Sequence, residues 1–356
     1  MLNARFAAPV GVLALLVAVV VATSAGADPS SSVDPRGVDP ASPNPLVGLR
    51  FYVDHSEPAY HLYRRYRHRG MRRRAALIWR IAKEPRFKWF GRWTRGGGGM
   101  VHKVRSWLRR AHRTQPGSVP LMVVMRHQGK GCGASYTGGG AREDARHRKW
   151  IRRFARAIGG RRVVIGYEPD SLGTVDCLSR SRRMARLRLL RYGVDVLSKL
   201  PNATIYLEGG ASDWEPARRT AWQLRYIGIS KVRGFMLNVT HFDWTVNNVR
   251  HGLRISRLTG GKPFIVSTAF NGRGPIHVRT GSRHRINVWC NPRGRGLGRA
   301  PTTDTMHPKV DAYMWIGRPG YSAGGCNGGR RRVGSWWPTR ALTLARYATA
   351  WERPPR

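Results

Sequence analysis

The sequence predicts an α/β fold, either a barrel or a barrel-like domain built on a parallel sheet. Seven short apolar runs recur along the chain, and each is nearly continuous, as is typical of strands buried on both faces. Most are separated by about 30–45 residues, which is enough for a crossover between parallel strands. Helical patterns occupy several of these intervals, which favours a barrel over a sandwich.

The predicted elements follow in chain order, without an internal repeat. The strands are expected at 49–53, 121–125, 163–167, 204–208, 234–239, 263–268 and 311–316. The helices are expected at 59–83, 141–158, 179–199, 214–227 and 246–258. Within 141–158, apolar residues from Trp150 onward repeat at helical spacing, so they should face the core. The segment 276–308 is rich in Gly and Arg and predicts a long functional loop.

The first 46 residues are expected to lie outside the folded domain. Residues 1–27 resemble a signal peptide, with Arg5 in a positive n-region, an apolar run at 10–22 and small residues before the cleavage point. A membrane anchor is the alternative, but the apolar run is shorter than the roughly 20 residues of a spanning helix. Residues 28–46 read as a Pro- and Ser-rich linker, and 47–356 as the barrel domain. We therefore expect a secreted or envelope-associated protein without a stable membrane span.

The four cysteines, Cys132, Cys177, Cys290 and Cys326, indicate two disulfides in an exported chain. Three pairings are possible, and the sequential one closes the shortest loops. No CxxC pair is present, so a zinc site is not expected, and nothing else indicates a metal or an organic cofactor.

The net charge of +45 predicts attraction to polyanions. The basic residues are mostly Arg and are spread along the whole chain instead of forming a nucleic-acid-binding signature. Specific nucleic-acid recognition is therefore not expected, and no basic amphipathic helix favours a lipid surface. An anionic polymer of the cell envelope is the expected partner of this surface.

Polar and aromatic residues follow several predicted strands. The run 163–167 ends at Glu168-Pro169-Asp170, where proline stiffens the turn between two acids. An acidic solvated loop is the alternative. Similar residues elsewhere are Glu208, Asp213 and Trp214; Asn238, His241 and Asp243; Trp289 and Asn291; and Arg318 and Tyr321. Acids, amides and aromatic rings at one rim are typical of a sugar site, although each Trp taken singly could belong to the core.

Nine segments, in order, resemble glycoside hydrolase family 6, the endoglucanase and cellobiohydrolase family. They are FYVD at 51–54, IAKEPRFKWFGRW at 81–93, CGASYTGGG at 132–140, EPDSL at 168–172, IYLEGGASDW at 205–214, GFMLNVTHFDWT at 234–245, FNGRGP at 270–275, WCNPRGRGLGRAPTT at 289–303 and VDAYMWIGRPGYSAGGCN at 310–327. The resemblance covers roughly residues 49–350.

This resemblance implies a distorted, TIM-like barrel of seven parallel strands that hydrolyses β-1,4-glucan with inversion. It implies that Asp170 is the general acid. It also implies sugar stacking by Trp89, Trp214 and Trp289. By the same resemblance, the disulfides join the cysteines in sequential order, Cys132 to Cys177 and Cys290 to Cys326.

Several positions depart from the family pattern. Gly131 and Ala323 stand where the family has an aspartate and the proposed base, and Tyr321 replaces a glutamate. Losing a like-charged neighbour should lower the pKa of Asp170. Glu208 is then a candidate to position the water or act as base, with Asp213 and Asp243 as weaker candidates.

Three functions remain open at this point. The first is a glycosidase with a rearranged site. The second is a catalytically impaired carbohydrate-binding protein on a hydrolase fold. The third is an activity shifted to an anionic envelope glycan, to which Arg126 and Lys130 could contribute unless they form a solvated rim.

Overall fold

The computed structural model describes residues 41–94, 99–126, 141–276, 289–329 and 332–349. All of them belong to one compact unit, Val33–Arg356. The expected signal peptide, the linker up to residue 40, and Lys130, Gly131 and Cys132 lie outside the described residues. Within the described ranges, no helix has the length and apolar character needed to cross a membrane.

Seven parallel strands form one sheet in chain order, curled into a half-barrel, which confirms the predicted fold class. The strands are β1 (Lys88–Gly91), β2 (Leu121–Met125), β3 (Val163–Tyr167), β4 (Ala203–Glu208), β5 (Gly234–Leu237), β6 (Phe264–Ser267) and β7 (Val310–Met314). Because all strands run in one direction, their carboxyl ends share one rim, where ligands bind in such folds.

Helices surround the sheet and connect its strands. They are α1 (Pro58–His68), α2 (Arg72–Ala82), α3 (Gly99–Thr114), α4 (Ala141–Ile158), α5 (Arg180–Leu197), α6 (Ala217–Ile227), α7 (Thr245–Leu258) and α8 (Pro338–Arg346). In α4 the predicted core positions are confirmed: Ile151, Phe154, Ala155 and Ile158 are buried, and Trp150 packs partly against them.

The first predicted strand is wrong. Residues 49–53 form only one isolated bridge, between Phe51 and Val119. The true first strand is β1, whose four-residue sequence KWFG is too short to give a strand pattern. The apolar character of 49–53 has another cause, since Phe51 and Leu49 pack partly buried against the cluster inside the barrel.

The helix predictions need three corrections. The single helix expected at 59–83 is two helices, because the chain turns at Gly70, which has a φ of 66°. Helix α6 begins after Pro216 instead of at Trp214, since proline occupies its N-cap position. Helices α3 and α8 were not predicted.

The strands alternate between two apolar layers. In β2, Met122 and Val124 face the layer under the helices, whereas Leu121 and Val123 face the barrel interior. Both sets are fully buried. This two-sided burial explains why the strands read as continuous apolar runs.

The folded part of the chain begins earlier than residue 47. Leu46 is fully buried, and the Asn44 side-chain amide donates to the carbonyl of Asp311 at 2.7 Å. The Arg233 guanidinium donates to the Ser42 carbonyl at 3.0 Å. These bonds fasten 42–46, which the sequence assigned to the linker, onto β7 and the start of β5.

Candidate active site

The turn after β3 holds its two acids in different environments. Glu168 is fully buried, and its Oε1 accepts a hydrogen bond from the backbone N–H of Arg126 at 2.9 Å. Asp170 is half-buried at the rim. Both have left-handed backbone, with φ of 56° and 66°. Such conformations cost about 1–3 kcal/mol each and persist where neighbours enforce them, commonly at functional sites. Glu168 thus fixes the turn that presents Asp170.

Burial governs the protonation of Asp170. It raises the pKa of Asp170, and this outweighs the opposing effects of a hydrogen bond from Thr240 and of the nearby His241 ring. The Thr240 hydroxyl donates to Oδ1 of Asp170 at 2.6 Å. The missing like-charged neighbour, expected to lower this pKa, does not decide its direction, because desolvation of the carboxyl group itself prevails.

Glu208 ends β4 as a second buried carboxyl group beside Asp170. Its Oε1 accepts the N–H of Gly210 at 2.8 Å, whereas its Oε2 is buried without a hydrogen-bond partner among the described residues. Burial and the negative charge of Asp170 raise the pKa of Glu208 well above its ordinary value. Glu208 therefore keeps its proton when Asp170 ionises, which suits a base poorly at neutral pH.

Asp213 has the opposite character. Its Oδ1 lies 2.8 Å from Nδ1 of His241, and its side chain is partly exposed. Burial would raise the pKa of Asp213, but the hydrogen bond and charge of His241 outweigh it and hold the pKa below the usual range. Since Thr240 and His241 are consecutive, the segment after β5 contacts both Asp170 and Asp213.

Asp243 and Asn238 organise that same segment. The carboxylate of Asp243 accepts the N–H of Trp244 at 2.8 Å and the amide of Asn247 at 3.1 Å, at the start of α7. The Asn238 side chain donates to the carbonyls of Asp243 and Ser267, at 3.1 and 3.0 Å. Both side chains are buried, and these contacts hold the loop in place.

Aromatic rings gather next to Asp170. Trp214 stacks on His241, with ring centroids 4.7 Å apart, and Trp289 lies 6.2 Å from His241. Trp214 also packs on Gly173, just past Asp170, where a Cβ atom would overlap its indole ring. Trp214 and Trp289, both half-buried, thus lie around His241, whose neighbour Thr240 bonds Asp170. Sugar stacking by these two rings stays a prediction.

A second group lies where β1 meets the segment after β7. The indole N–H of Trp89 donates to the carbonyl of Ile316 at 2.9 Å. The Arg318 guanidinium lies 3.7 Å from the ring centroid of Tyr321, whose hydroxyl donates to Glu57. These residues are brought together from distant parts of the sequence.

The charges around Glu57 explain its state. Burial opposes ionisation, but Arg86 and Lys88 lower the pKa of Glu57 to about 2, and its Oε1 lies 2.8 Å from Nζ of Lys88. Burial and the Glu57 charge raise the pKa of Tyr321 to about 12. Tyr321 thus presents a protonated phenol that is bonded to a carboxylate from a distant part of the sequence.

The disulfide Cys290–Cys326 is confirmed. Next to it, the buried Asn291 donates to the carbonyl of Gly324 at 2.9 Å and accepts the N–H of Ala323 at 2.8 Å. Asn291 thus clamps the loop that carries Ala323. The second predicted disulfide stays a prediction, because Cys132 lies outside the described residues.

Sequence reasoning missed Thr240 and Glu57. Thr240 gives a weak signal, since it lies two residues beyond Asn238 at a strand end. Glu57 gives none, because its contact with Tyr321 spans 264 residues.

Comparisons with known proteins agree with this geometry. The family model described as "Glycosyl hydrolases family 6" matches residues 47–348. Endoglucanase A of Cellulomonas fimi is 32% identical over 307 residues, which are 86% of this chain and 62% of that protein. Endoglucanase 1 of Streptomyces sp. (strain KSM-9) is 31% identical over 279 residues, 78% of this chain and 73% of that protein.

Solved structures show the same fold. The endoglucanase Cel6 from Mycobacterium tuberculosis, solved in complex with methyl-cellobiosyl-4-deoxy-4-thio-β-D-cellobioside, aligns with a TM-score of 0.75 and 34% identity. The alignment covers 85% of this chain and 99% of that one. Endoglucanase CEL6B from Humicola insolens aligns with a TM-score of 0.71 at 20% identity, which is a likeness of fold.

Proposed function

Because the chain belongs to glycosyl hydrolase family 6, we propose that it hydrolyses β-1,4-glucan-type polysaccharide with inversion, using Asp170 as general acid. The observation that carries the proposal is the position of Asp170: a half-buried carboxyl group with a raised pKa, at the rim, beside Trp214. A carboxyl group that holds its proton can give it to a leaving glycosidic oxygen.

In an inverting reaction two groups act across the sugar ring. Asp170 gives its proton to the glycosidic oxygen as the bond to the anomeric carbon breaks. A water molecule attacks that carbon from the opposite face and loses a proton to a base. We propose Asp213 for the base, directly or through a water chain, because it is ionised and partly exposed, whereas Glu208 holds its proton.

The rings of Trp214 and Trp289 would receive sugar units next to the acid, and Trp89, Arg318 and Tyr321 would contact units further along the cleft. We also propose that the chain is exported with residues 1–27 removed. N-terminal sequencing of the protein from the culture medium tests this cleavage.

Activity is tested with purified protein on barley β-glucan and swollen cellulose. We expect reducing ends to appear, and NMR of the fresh product to show the α-anomer first. Release of no reducing sugar from any β-glucan would contradict the proposed hydrolysis. A β-anomer as first product would contradict inversion.

Replacing Asp213 by Asn is expected to lower kcat by about a hundredfold, because the attacking water loses its proton acceptor. The acid limb of the pH profile of kcat/KM should also disappear in this variant, which a merely structural effect would not cause. The control is Asp304→Asn, an exposed carboxylate that forms a surface ion pair with Arg299. An unchanged acid limb in Asp213→Asn would show that another group is the base.

The second candidate is a carbohydrate-binding protein that does not cut. The alanine methyl group at Ala323, where the family pattern has an acid, favours it. Under this alternative, calorimetry shows glucan binding lost in Trp214→Ala and unchanged in Asp170→Asn, while neither the parent protein nor any variant releases sugar.

Both candidates require Trp214 to hold its place. In Gly173→Ala the new methyl group would overlap the indole ring, so Trp214 must move, and we expect glucan affinity to fall about tenfold. Gly160→Ala is the matched control, because within the described ranges no atom beyond its two chain neighbours lies within 4 Å of its Cβ position. Calorimetry on both variants checks the result, and equal affinities would remove Trp214 from the binding surface.

A further inference from the structure

A cavity of about 450 Å³ lies between the ends of β1 and β2 and helix α4. We call it the basic pocket. Its lining includes five cationic side chains and one indole, Arg92, Arg126, Arg146, Lys149, Arg153 and Trp150. The pocket shares the rim of the sheet with Asp170, because Arg126 directly follows β2 and β2 pairs with β3.

The charges of this lining do not cancel. Among the described lining residues the only carboxylate is Glu143, in the first turn of α4. Its oxygens lie 2.9 Å from Arg126, 3.7 Å from Arg146 and 3.9 Å from Arg92. One carboxylate therefore serves three guanidinium groups, while Lys149 and Arg153 add further positive charge.

Arg126 gives the strongest indication that the pocket binds a ligand. Its exposure is only 8%, and its Nε atom is buried without a hydrogen-bond partner among the described residues. A buried cation with an unused donor is costly unless an anion completes it. Burial of the neighbouring His147, and next the positive charge of Arg126, lower the pKa of His147 to about 3. His147 is therefore neutral at neutral pH, and the positive potential comes from the guanidinium and ammonium groups.

Two further contacts suit the pocket to a sugar chain. Trp150 is half-buried and stacks on Phe154, with centroids 5.3 Å apart, which holds its ring rigid at the cavity wall. A pyranose ring can lie against such a face. The backbone N–H of Arg126 binds Glu168, two residues before Asp170, so the pocket adjoins the candidate active site.

We propose that the basic pocket binds the oxyanion of an acidic sugar residue, so that the polysaccharide substrate carries negative charge next to the site of cleavage. Guanidinium groups hold carboxylate and phosphate oxygens in paired hydrogen bonds, and Arg126 and Arg92 both line the pocket. That the oxyanion belongs to a sugar chain rests on the proposed function; that the pocket binds an oxyanion does not.

The test compares binding by calorimetry on the whole chain. The probes are a β-1,4-linked oligomer of glucuronic acid, a neutral cello-oligosaccharide of equal length, and inorganic phosphate. The pocket variant is Lys149→Gln/Arg153→Gln, which neutralises two of the three exposed lining cations of α4 and keeps Arg146, the partner of Glu143. The control is Arg152→Gln/Arg156→Gln, which removes the same charge from the same helix outside the pocket lining.

We expect the acidic oligomer to bind at least about tenfold more tightly than the neutral one. The pocket variant should lose about tenfold for the acidic oligomer and nothing for the neutral one, and the control should change by less than about twofold. Equal affinity for the two oligomers, or equal weakening in both variants, overturns the proposal. If phosphate alone binds as tightly as the acidic oligomer, the sugar part is overturned and the pocket is a site for free oxyanions.

These outcomes separate the pocket from catalysis. If β-glucan is not hydrolysed but binding of the acidic oligomer still depends on Lys149 and Arg153, the proposed reaction is contradicted and the proposed pocket is supported. If neutral glucan is hydrolysed but the protein binds the acidic and neutral oligomers equally well, the proposed pocket is contradicted and the proposed reaction is supported.

Discussion

In Asp170→Asn, kcat on soluble β-glucan is expected to fall about a thousandfold, because the amide cannot protonate the leaving oxygen. Substrate binding should change little, since the substitution keeps the size and shape of the side chain. Steady-state kinetics with reducing-end detection separates kcat from KM, and calorimetry on the variant confirms that it still binds glucan.

The pH dependence of activity is a second test of Asp170 as the general acid. Asp170 must be protonated to act, so activity is lost as pH rises through its pKa. Because burial raises that pKa, the alkaline limb should lie above the ordinary aspartate range of about 3.9. The control is Asp195→Asn, the same change at a surface ion pair with Lys231. Full activity in Asp170→Asn would remove this residue from the mechanism.

Asp311→Ala should unfold far more easily than the parent protein, by about 3–5 kcal/mol, because it leaves the Arg233 guanidinium buried and unpaired. Asp311 is fully buried and receives two hydrogen bonds from Arg233, both at 2.9 Å. The hydroxyl of Tyr206 donates to it at 2.6 Å. Urea unfolding followed by circular dichroism measures the change as a lower midpoint.

A matched exposed ion pair serves as control for this loss. Asp304, whose side chain is 77% exposed, lies 3.2 Å from Arg299, and Asp304→Ala should cost at most about 1 kcal/mol. Replacing both partners of the buried pair, as Asp311→Leu/Arg233→Met, should recover much of the lost stability, since no charge then remains unpaired. Equal costs for the two single alanine variants would show that burial of the Asp311 pair contributes little.

The fold could be predicted largely because six strands are buried on both faces. Two-sided burial requires apolar side chains at successive positions, and that leaves a plain signal, as in LMVVM of β2. Strand β1 left none, because KWFG has only four residues, of which the first two are half-buried. The amphipathic α3, with Val104, Trp107, Leu108 and Ala111 buried, carries a helical period from which this helix can also be predicted.

The position of the candidate site in the fold could be predicted, but the protonation of its acids could not. Asp170 stands at a strand end, and strand ends meet at one rim, so its place follows from sequence. The protonation of Glu208 depends on burial and on the charge of Asp170, which lies on another strand end. The contact between Tyr321 and Glu57 joins the segment after β7 to the segment before α1. It depends on how these two segments pack together, which no local sequence pattern encodes.

The described half-barrel is not closed by a strand ladder between its two edge strands, β1 and β7. In the described sheet β1 and β7 are the two edges, and between them the indole of Trp89 bonds to Ile316 and the backbone N–H of Phe87 to Trp315, at 2.9 and 3.4 Å. All six neighbouring pairs of strands are joined by parallel ladders, and the one between β6 and β7 has a register shift at Phe264 and Ile265. Local opening is easiest where backbone hydrogen bonds are fewest. A wide or branched sugar chain that enters the cleft would therefore separate β1 from β7, while the six ladders between neighbouring strands stay intact.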